Sequence, residues 1–143
     1  MVKKIKSDEL DIAAELAACV WHCSKEDLLD DFKAIINNED VVFFLKYSEG
    51  MAVGFAQCKI RHDYVEGTQS SPVGYLEGIF VKAEYRNKGY AKELLFACEQ
   101  WAKAQGCSEF ASDCELKNKD SLLFHLKTGF IEANRIICFK KDL

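Results

Sequence analysis

A short basic turn, Arg86-Asn87-Lys88-Gly89-Tyr90-Ala91, has the residue types of a phosphate-binding loop. It follows an apolar run, Tyr75–Val81, whose β-branched and aromatic residues predict a buried strand. An amphipathic helix pattern begins at Ala91. A strand that enters a helix through such a turn directs backbone N–H groups and the positive end of the helix dipole at one spot, which suits a phosphate. An ordinary strand–helix connection with solvated charges is the alternative.

Two carboxylates are placed where they could bind or activate a ligand. Glu77 is the only charged residue in Tyr75–Val81, and a carboxylate among apolar neighbours is costly unless it is paired or functional. Asp113 ends the next predicted strand, on the side where α/β sheets place their ligands. The alternatives are a structural ion pair for Glu77 and a turn or helix-capping role for Asp113.

The elements that must position these residues follow the order β-α-α-β-β-β-α-β-α-β. The predicted strands are Val2–Lys6, Val41–Tyr47, Met51–Arg61, Tyr75–Val81, Ser108–Asp113 and Arg135–Lys140. The predicted helices begin at Ser7 or Asp8, at Ser24, at Ala91 and at Asn118. Because a helix crosses over between Tyr75–Val81 and Ser108–Asp113, we expect these two strands to be parallel. The order predicts an α/β protein with a sheet of mixed direction.

Length and composition exclude several classes of protein. At 143 residues with 49% hydrophobic residues, the chain predicts one domain over residues 1–143 with a sizeable core. The net charge of −4 argues against a nucleic-acid-binding protein and is compatible with a cationic substrate, although mild acidity alone also keeps a protein soluble.

The cysteines and the first residues predict a cytoplasmic protein. Seven cysteines form no Cys-x-x-Cys pair and no metal-ligand cluster, so we expect reduced thiols and no metal. Met1-Val2-Lys3-Lys4-Ile5-Lys6 is followed by acidic residues and not by an apolar stretch. The sequence therefore predicts neither a signal peptide nor a membrane span.

Two motifs together resemble the GNAT superfamily of N-acetyltransferases. Arg86-x-x-Gly89-x-Ala91 is similar to the pyrophosphate loop of that family. The second motif, further along the chain, pairs Asn118 and Ser121 with His125, Gly129 and Phe130 at the family's spacing, with His125 where Tyr is usual. The resemblance covers essentially the whole chain. It implies the GNAT acyltransferase fold, an α/β (α+β) arrangement with a central mixed, mostly antiparallel sheet, a parallel central strand pair and flanking helices.

Further segments narrow the resemblance to the aminoglycoside 6′-N-acetyltransferases. These segments are Arg61–Pro72, Leu76–Val81, Ala111-Ser112-Asp113, Arg135 and Trp21. The resemblance implies acetyl-CoA as co-substrate and a polycationic aminoglycoside as acceptor, with the 6′-amine attacking directly in a ternary complex. It also implies a homodimer. The polar loop between His62 and Val73 is the predicted substrate-contacting loop.

The resemblance implies a role for each site residue. Expected contacts to acetyl-CoA come from Ile79, Phe80, Val81, Arg86, Asn87, Lys88, Gly89, Tyr90, Ala91, Asn118 and His125. Expected contacts to the aminoglycoside come from Trp21, Tyr64, Glu77, Asp113 and Glu132. Glu77 is the candidate base, directly or through water, Asp113 binds a substrate ammonium, and His125 is the candidate proton donor to the departing thiolate. Structural alternatives are core packing for Tyr64, helix capping for Asn118 and a surface charge for Glu132.

Two other functions compete with this interpretation. One is acetylation of a different amine, such as a polyamine, a protein lysine or a protein N-terminus. The other is a non-catalytic module that binds coenzyme A. The paired acids Glu77 and Asp113 favour a small polycationic substrate over both.

Overall fold

A five-stranded sheet with strand order β1-β2-β3-β4-β5 carries the helices on its two faces. The computed structural model describes residues 1–143. The strands are β1 Val2–Lys4, β2 Val41–Ser48, β3 Met51–Arg61, β4 Val73–Val81 and β5 Phe110–Ser112. The helices are α1 Leu10–Ala17, α2 Lys25–Ile35, α3 Tyr90–Ala104 and α4 Lys119–Lys127, with 3-10 turns at Ser7–Glu9 and Ala83–Tyr85. The β4–β5 pair is parallel and the other three pairs are antiparallel, as predicted.

Side-chain caps set the start of two helices. The Ser24 hydroxyl accepts a hydrogen bond of 3.1 Å from the Asp27 N–H, and the Asn118 side-chain oxygen accepts one of 3.1 Å from the Ser121 N–H. Each bond satisfies one of the free donors of a first helical turn. The first helix differs from its prediction, because a 3-10 turn over Ser7–Glu9 precedes α1 and no side chain caps either element.

The core lies in two layers, one on each face of the sheet. Helices α1 and α2 cover one face, where Phe32, Phe43 and Phe55 pack together. Helix α3 covers the other face with Leu94, Leu95 and Cys98 against β2, β3 and β4. The spacing of these helical residues explains the layer, since residues three and four apart share one face.

A β-bulge interrupts β4 at Glu77. Gln57 of β3 lies opposite Gly78, whereas the next residue, Cys58, lies opposite Leu76. Glu77 is therefore the extra residue of β4 and has no partner across the ladder. A bulge re-aims a side chain and is common next to functional sites.

The predicted last strand, Arg135–Lys140, is wrong, because no strand forms after α4. Residues 131–143 are exposed, including the apolar side chains of Ile136, Ile137 and Phe139. A strand exists only where a neighbouring strand satisfies its backbone, and nothing in this chain pairs with the segment. Strand β5 consequently forms an edge of the sheet, so the parallel pair lies at this edge and not at the centre.

None of the four helices combines the length and the apolar character that crossing a membrane requires.

Candidate active site

Glu77 is held by the guanidinium of Arg61, the last residue of β3. Arg61 Nη2 donates to both carboxylate oxygens of Glu77, at 2.8 Å to Oε1 and 3.0 Å to Oε2, and Arg61 Nε donates to Oε1 at 3.1 Å. The side chain of Glu77 is 18% exposed and that of Arg61 is 40% exposed. The bulge brings the Glu77 side chain to Arg61. Because the guanidinium contacts both carboxylate oxygens, the ion pair fixes the orientation of the carboxylate.

Asp113 accepts a hydrogen bond from the hydroxyl of Tyr75. Burial raises the pKa of Tyr75, and the bond to Asp113 raises it further, so the hydroxyl stays protonated. The ring of Tyr75 also lies 3.4 Å from the central carbon of the Arg61 guanidinium. Glu77 and Asp113 are therefore parts of one contiguous cluster, joined through Arg61 and Tyr75.

Trp21 borders this cluster from the connection between α1 and α2. A Cβ atom on Gly78 would come within 2.6 Å of the Trp21 indole, so the ring lies directly against the backbone of the residue after Glu77. Phe32 and Phe55 hold the indole by edge contacts, with ring centres 6.4 and 6.0 Å away. The absence of a side chain at Gly78 therefore allows an aromatic wall beside Glu77.

A polar loop over residues 62–72 follows Arg61 and extends the site outward. It borders an open depression of about 420 Å³ lined by His62, Asp63, Tyr64, Thr68, Gln69, Ser70 and Ser71. The Glu109 carboxylate accepts from the Gln69 N–H at 2.9 Å and fixes the loop to the segment before β5. Tyr64 is 77% exposed, so the packing role considered for it is wrong.

Strand β4 has an unpaired edge beyond Leu76, because its ladder with β5 ends at the pair Leu76–Ser112. The N–H of Lys82 donates to Val53 of β3 at 2.9 Å. Since backbone groups alternate along an antiparallel strand, Phe80 also bonds to β3, whereas Ile79 and Val81 turn their backbone groups to the open edge. An extended amide-containing ligand could add to this edge as a strand does.

The turn before α3 has the geometry of an anion site. Gly89 is the N-cap in the left-handed conformation, with φ +81, and Asn87 has φ +61. No atom lies within 4 Å of a Cβ built on Gly89, and no side chain caps the first N–H groups of α3. These free donors and the helix dipole favour an anion. Arg86 is turned partly inward, since its Nε donates to the Val81 carbonyl at 2.9 Å.

His125 is engaged at both ring nitrogens. Nδ1 lies 2.6 Å from the Ser121 carbonyl oxygen, which can only accept, so Nδ1 carries a proton. Nε2 lies 2.8 Å from the Ser112 hydroxyl. A neutral His125 therefore has no second proton to donate, and its Nε2 shares the Ser112 hydroxyl proton with the Leu76 carbonyl oxygen, which lies 3.3 Å from that hydroxyl. Only the imidazolium form could act as the predicted acid.

Glu132 pairs with Arg135 on the exposed C-terminal segment. This segment approaches the loop over residues 62–72, where the Asn134 side-chain amide donates to Glu66 at 3.1 Å. The pairing lowers the pKa of Glu132. Its contacts are those of a surface ion pair, which was the structural alternative considered for it.

Sequence reasoning missed the roles of Arg61, Tyr75 and Ser112. The sequence did contain a signal for the Arg61–Glu77 ion pair, since a single acidic residue lies within one predicted strand and a basic residue ends the strand before it. The bulge that brings them together is not visible in the sequence pattern. Ser112 and Tyr75 resemble ordinary strand residues until the register of β4 and β5 is known.

The comparisons with known proteins agree with this geometry. The sequence model described as "Acetyltransferase (GNAT) family" matches residues 10–130. The aminoglycoside N(6′)-acetyltransferase type 1 of Salmonella typhimurium strain LT2 is 38% identical over 141 residues, covering 98% of this chain and 97% of that one. The enzyme of the same name from Acinetobacter baumannii is 36% identical over 143 residues, covering 99% and 98%. This chain belongs to the GNAT acetyltransferase family.

Solved structures show the same fold over the whole chain. AAC(6′)-Iy in complex with the bisubstrate analogue CoA-S-monomethyl-acetylneamine superposes with a TM-score of 0.95 at 35% identity, covering 100% of this chain and 98% of that one. AAC(6′)-Ih from Acinetobacter baumannii gives a TM-score of 0.93 at 37% identity, with 100% and 98% covered. The GNAT fold predicted from the two motifs is confirmed.

Proposed function

We propose that this protein transfers the acetyl group of acetyl-CoA to the 6′-amino group of aminoglycosides and so inactivates these antibiotics. The observation that carries the proposal is the cluster of Glu77 and Asp113 beside the open edge of β4. This cluster places two carboxylates, which can bind the ammonium groups of a polycation, close to the open edge of β4. That edge and the anion site before α3 suit coenzyme A. The relatives named for aminoglycoside acetylation, and the neighbour solved with a bisubstrate analogue, support the same substrates.

The described residues fit acetyl-CoA in two places. The turn Arg86–Ala91 and the free N–H groups of α3 suit its pyrophosphate. The open edge of β4 at Ile79 and Val81 suits the amides of its pantetheine arm, although the Val81 carbonyl already accepts from Arg86. Phe80 lies between these two residues, and its side chain packs against the core layer that α1 and α2 cover. Asn118 caps α4 and supports His125 through the position of that helix.

In the proposed reaction the 6′-nitrogen forms a bond to the acetyl carbon, and the bond from that carbon to sulfur breaks. Acetyl-CoA supplies the activated acetyl group. Glu77 orients the uncharged amine and takes the N–H proton that the nitrogen loses as its bond to the acetyl carbon forms, directly or through water, while Asp113 holds an ammonium group of the substrate. The imidazolium form of His125 supplies a proton toward the thiolate through Ser112. Trp21, Tyr64 and Glu132 are proposed to contact the sugar rings.

Turnover with a panel of amines tests the proposal. Release of the coenzyme A thiol should be fast with 6′-amino aminoglycosides and slow with spermidine, lysine peptides and peptide N-termini. A 6′-hydroxy aminoglycoside is the matched control, because it keeps the remaining charges but lacks the acceptor. Preference for another amine would support the alternative acetyltransferase, and binding of coenzyme A without turnover would support the non-catalytic module.

We further propose that the protein acts in the cytoplasm as a homodimer. The seven cysteines are free thiols, which suits a reducing compartment. Ile131, Ile136, Ile137 and Phe139 are between 67% and 90% exposed along one unpaired segment, which contacts the loop over residues 62–72 through Asn134 and Glu66. Four large exposed apolar side chains within nine residues are typical of a subunit interface, and a second copy would cover them.

A further inference from the structure

The two site carboxylates differ in the charge of their partners. Glu77 is paired with a cation, because the Arg61 guanidinium contacts both of its oxygens. The partner of Asp113 is the uncharged hydroxyl of Tyr75. The Glu77–Arg61 unit therefore has no net charge, whereas Asp113 presents a full negative charge to a ligand.

Arg61 is fixed in this position by more than its ion pair. Its guanidinium stacks on the Tyr75 ring at 3.4 Å, a favourable arrangement for a planar cation. The same ring carries the hydroxyl that donates to Asp113. Displacing Arg61 from Glu77 would break the pair and the stacking together, so the cation is built into the site.

The hydrogen bonds of Glu77 leave limited room for a substrate. Oε1 accepts from both Nε and Nη2 of Arg61, which uses both of the lone pairs with which that oxygen can accept hydrogen bonds. Oε2 accepts from Nη2 alone and keeps one position. One N–H of a bound amine can donate there, with the guanidinium close by.

We propose that Arg61 is a positioning and specificity-determining residue: by neutralising Glu77 it makes that subsite take the reacting amine in its uncharged form, while Asp113 binds an ammonium group of the same substrate. The inference rests on the proposed function. A guanidinium within a few ångströms disfavours a second cation, so the ammonium gives its proton to the solvent when it binds at Glu77. The uncharged nitrogen keeps the lone pair that attacks the acetyl carbon.

Other titratable groups surround this region and are included in the design of the test. They are His62 with its partner Asp40, Asp63 and Tyr64 in the loop, Tyr75 in β4, Asp113 after β5, and His125 of α4 through Ser112. These groups are the same in a variant altered only at Arg61, so a difference between the two proteins reports on the Arg61 charge.

Proton release on binding tests the inference by calorimetry in buffers of different ionisation enthalpy. With coenzyme A present, the wild-type protein at pH 7 should release about one proton more on binding a 6′-amino aminoglycoside than on binding its 6′-hydroxy analogue. Arg61→Gln should lose this difference, because Glu77 then carries an unpaired charge that retains the ammonium. An equal release in Arg61→Gln, or no difference in the wild-type protein, would overturn the inference.

Two further variants separate charge from fold. Arg61→Lys keeps the cation and should keep the extra proton release, and it serves as the test if Arg61→Gln does not fold. Lys25→Gln removes a cation that pairs with Asp11 at 2.9 Å between α1 and α2, and it should behave as the wild-type protein does. Loss of the extra proton in Lys25→Gln would also overturn the inference.

The pH dependence of turnover gives an independent readout. In the plot of kcat against pH, the acidic limb should move to higher pH by about one unit in Arg61→Gln, because the unpaired Glu77 retains the ammonium. The KM for acetyl-CoA should stay unchanged. An unmoved limb contradicts the role of Arg61. No aminoglycoside turnover in the wild-type protein would reject the proposed function itself, whereas turnover with unchanged proton release rejects only the inference about Arg61.

Discussion

The carboxylate of Glu77 depends on a local irregularity for its position. Because Glu77 is the extra residue of a bulge, its side chain reaches Arg61 and the open edge of β4. A glutamine at this position keeps the shape of the side chain and removes its charge, so it distinguishes a catalytic role of Glu77 from a role in packing.

We expect Glu77→Gln to lower kcat by about 10²- to 10⁴-fold, the usual contribution of a general base, with the KM for acetyl-CoA unchanged. Steady-state kinetics by thiol release measures both constants. Glu26→Gln, a change of the same kind in the first turn of α2, is the control and should leave both unchanged. Wild-type rates in Glu77→Gln would remove this residue from the mechanism.

The hydroxyl of Tyr75 predicts a pH-dependent contribution to stability. Burial and donation to Asp113 raise the Tyr75 pKa, so the folded protein keeps a proton that the unfolded chain loses near pH 10. The contribution of this bond to the free energy of unfolding is therefore complete below about pH 10 and decreases as the pH rises further.

Tyr75→Phe should accordingly lower the free energy of unfolding by about 1 kcal/mol at pH 8 and by less at pH 11. Urea denaturation of both proteins at the two pH values measures the difference. Tyr64→Phe, at an exposed tyrosine in the loop over residues 62–72, should show no such dependence on pH. A Tyr75→Phe difference that stays constant would mean that the bond to Asp113 contributes nothing to the folded state.

Helix α3 offers a matched pair of glycines for testing the phosphate site. Gly89 before its first turn and Gly106 after its last turn both have positive φ, +81 and +91, and neither has an atom within 4 Å of a built Cβ. A valine at either position is strained by the backbone conformation in the same way. Only Gly89 faces the proposed pyrophosphate.

Gly89→Val and Gly106→Val should therefore both lower the free energy of unfolding by about 1 kcal/mol or more. Only Gly89→Val should raise the KM for acetyl-CoA, by about tenfold or more, because its branched Cβ enters the space of the phosphate. Thermal unfolding and steady-state kinetics on the two variants separate strain from binding. Equal KM values for acetyl-CoA in the two variants would contradict the assignment of this turn as the pyrophosphate site.

The elements were predictable from the sequence where local signals and core packing agree. The bounds of β3, Met51–Arg61, and the caps at Ser24 and Asn118 follow from periodicity and capping chemistry. The segment Arg135–Lys140 has the composition of a strand and is not one, because pairing depends on a partner that sequence pattern does not identify. The Arg61–Glu77 contact was hidden for a related reason, since it depends on one inserted residue in the register.

The exposed C-terminal segment predicts the association state of the whole molecule. In sedimentation equilibrium we expect the wild-type protein at twice the monomer mass and Ile137→Asp at the monomer mass, because a charge would be buried at the interface. Ile137 is 80% exposed in the single chain, and Leu116 is 76% exposed outside the segment. Leu116→Asp should therefore remain dimeric. A monomeric wild-type protein would contradict the proposed dimer.

The distribution of the thiols has a practical consequence for every measurement that follows coenzyme A release with a disulfide reagent. Cys19, Cys23 and Cys138 are exposed and Cys114 is partly so, whereas Cys58, Cys98 and Cys107 are buried. Burial raises the pKa of Cys107, and a hydrogen bond that the Cys98 thiol donates to Cys58, together with burial, raises the pKa of Cys98, which slows the reaction of both thiols further. In the proposed dimer the partner covers the segment that carries Cys138, so the native enzyme should give a fixed background of three titrated thiols, Cys19, Cys23 and Cys114, and seven after denaturation. A fourth titrated thiol in a variant would indicate that the dimer has dissociated and exposed Cys138, and a higher count would indicate that the core has opened, so the same reagent measures the catalytic rate and the state of the fold.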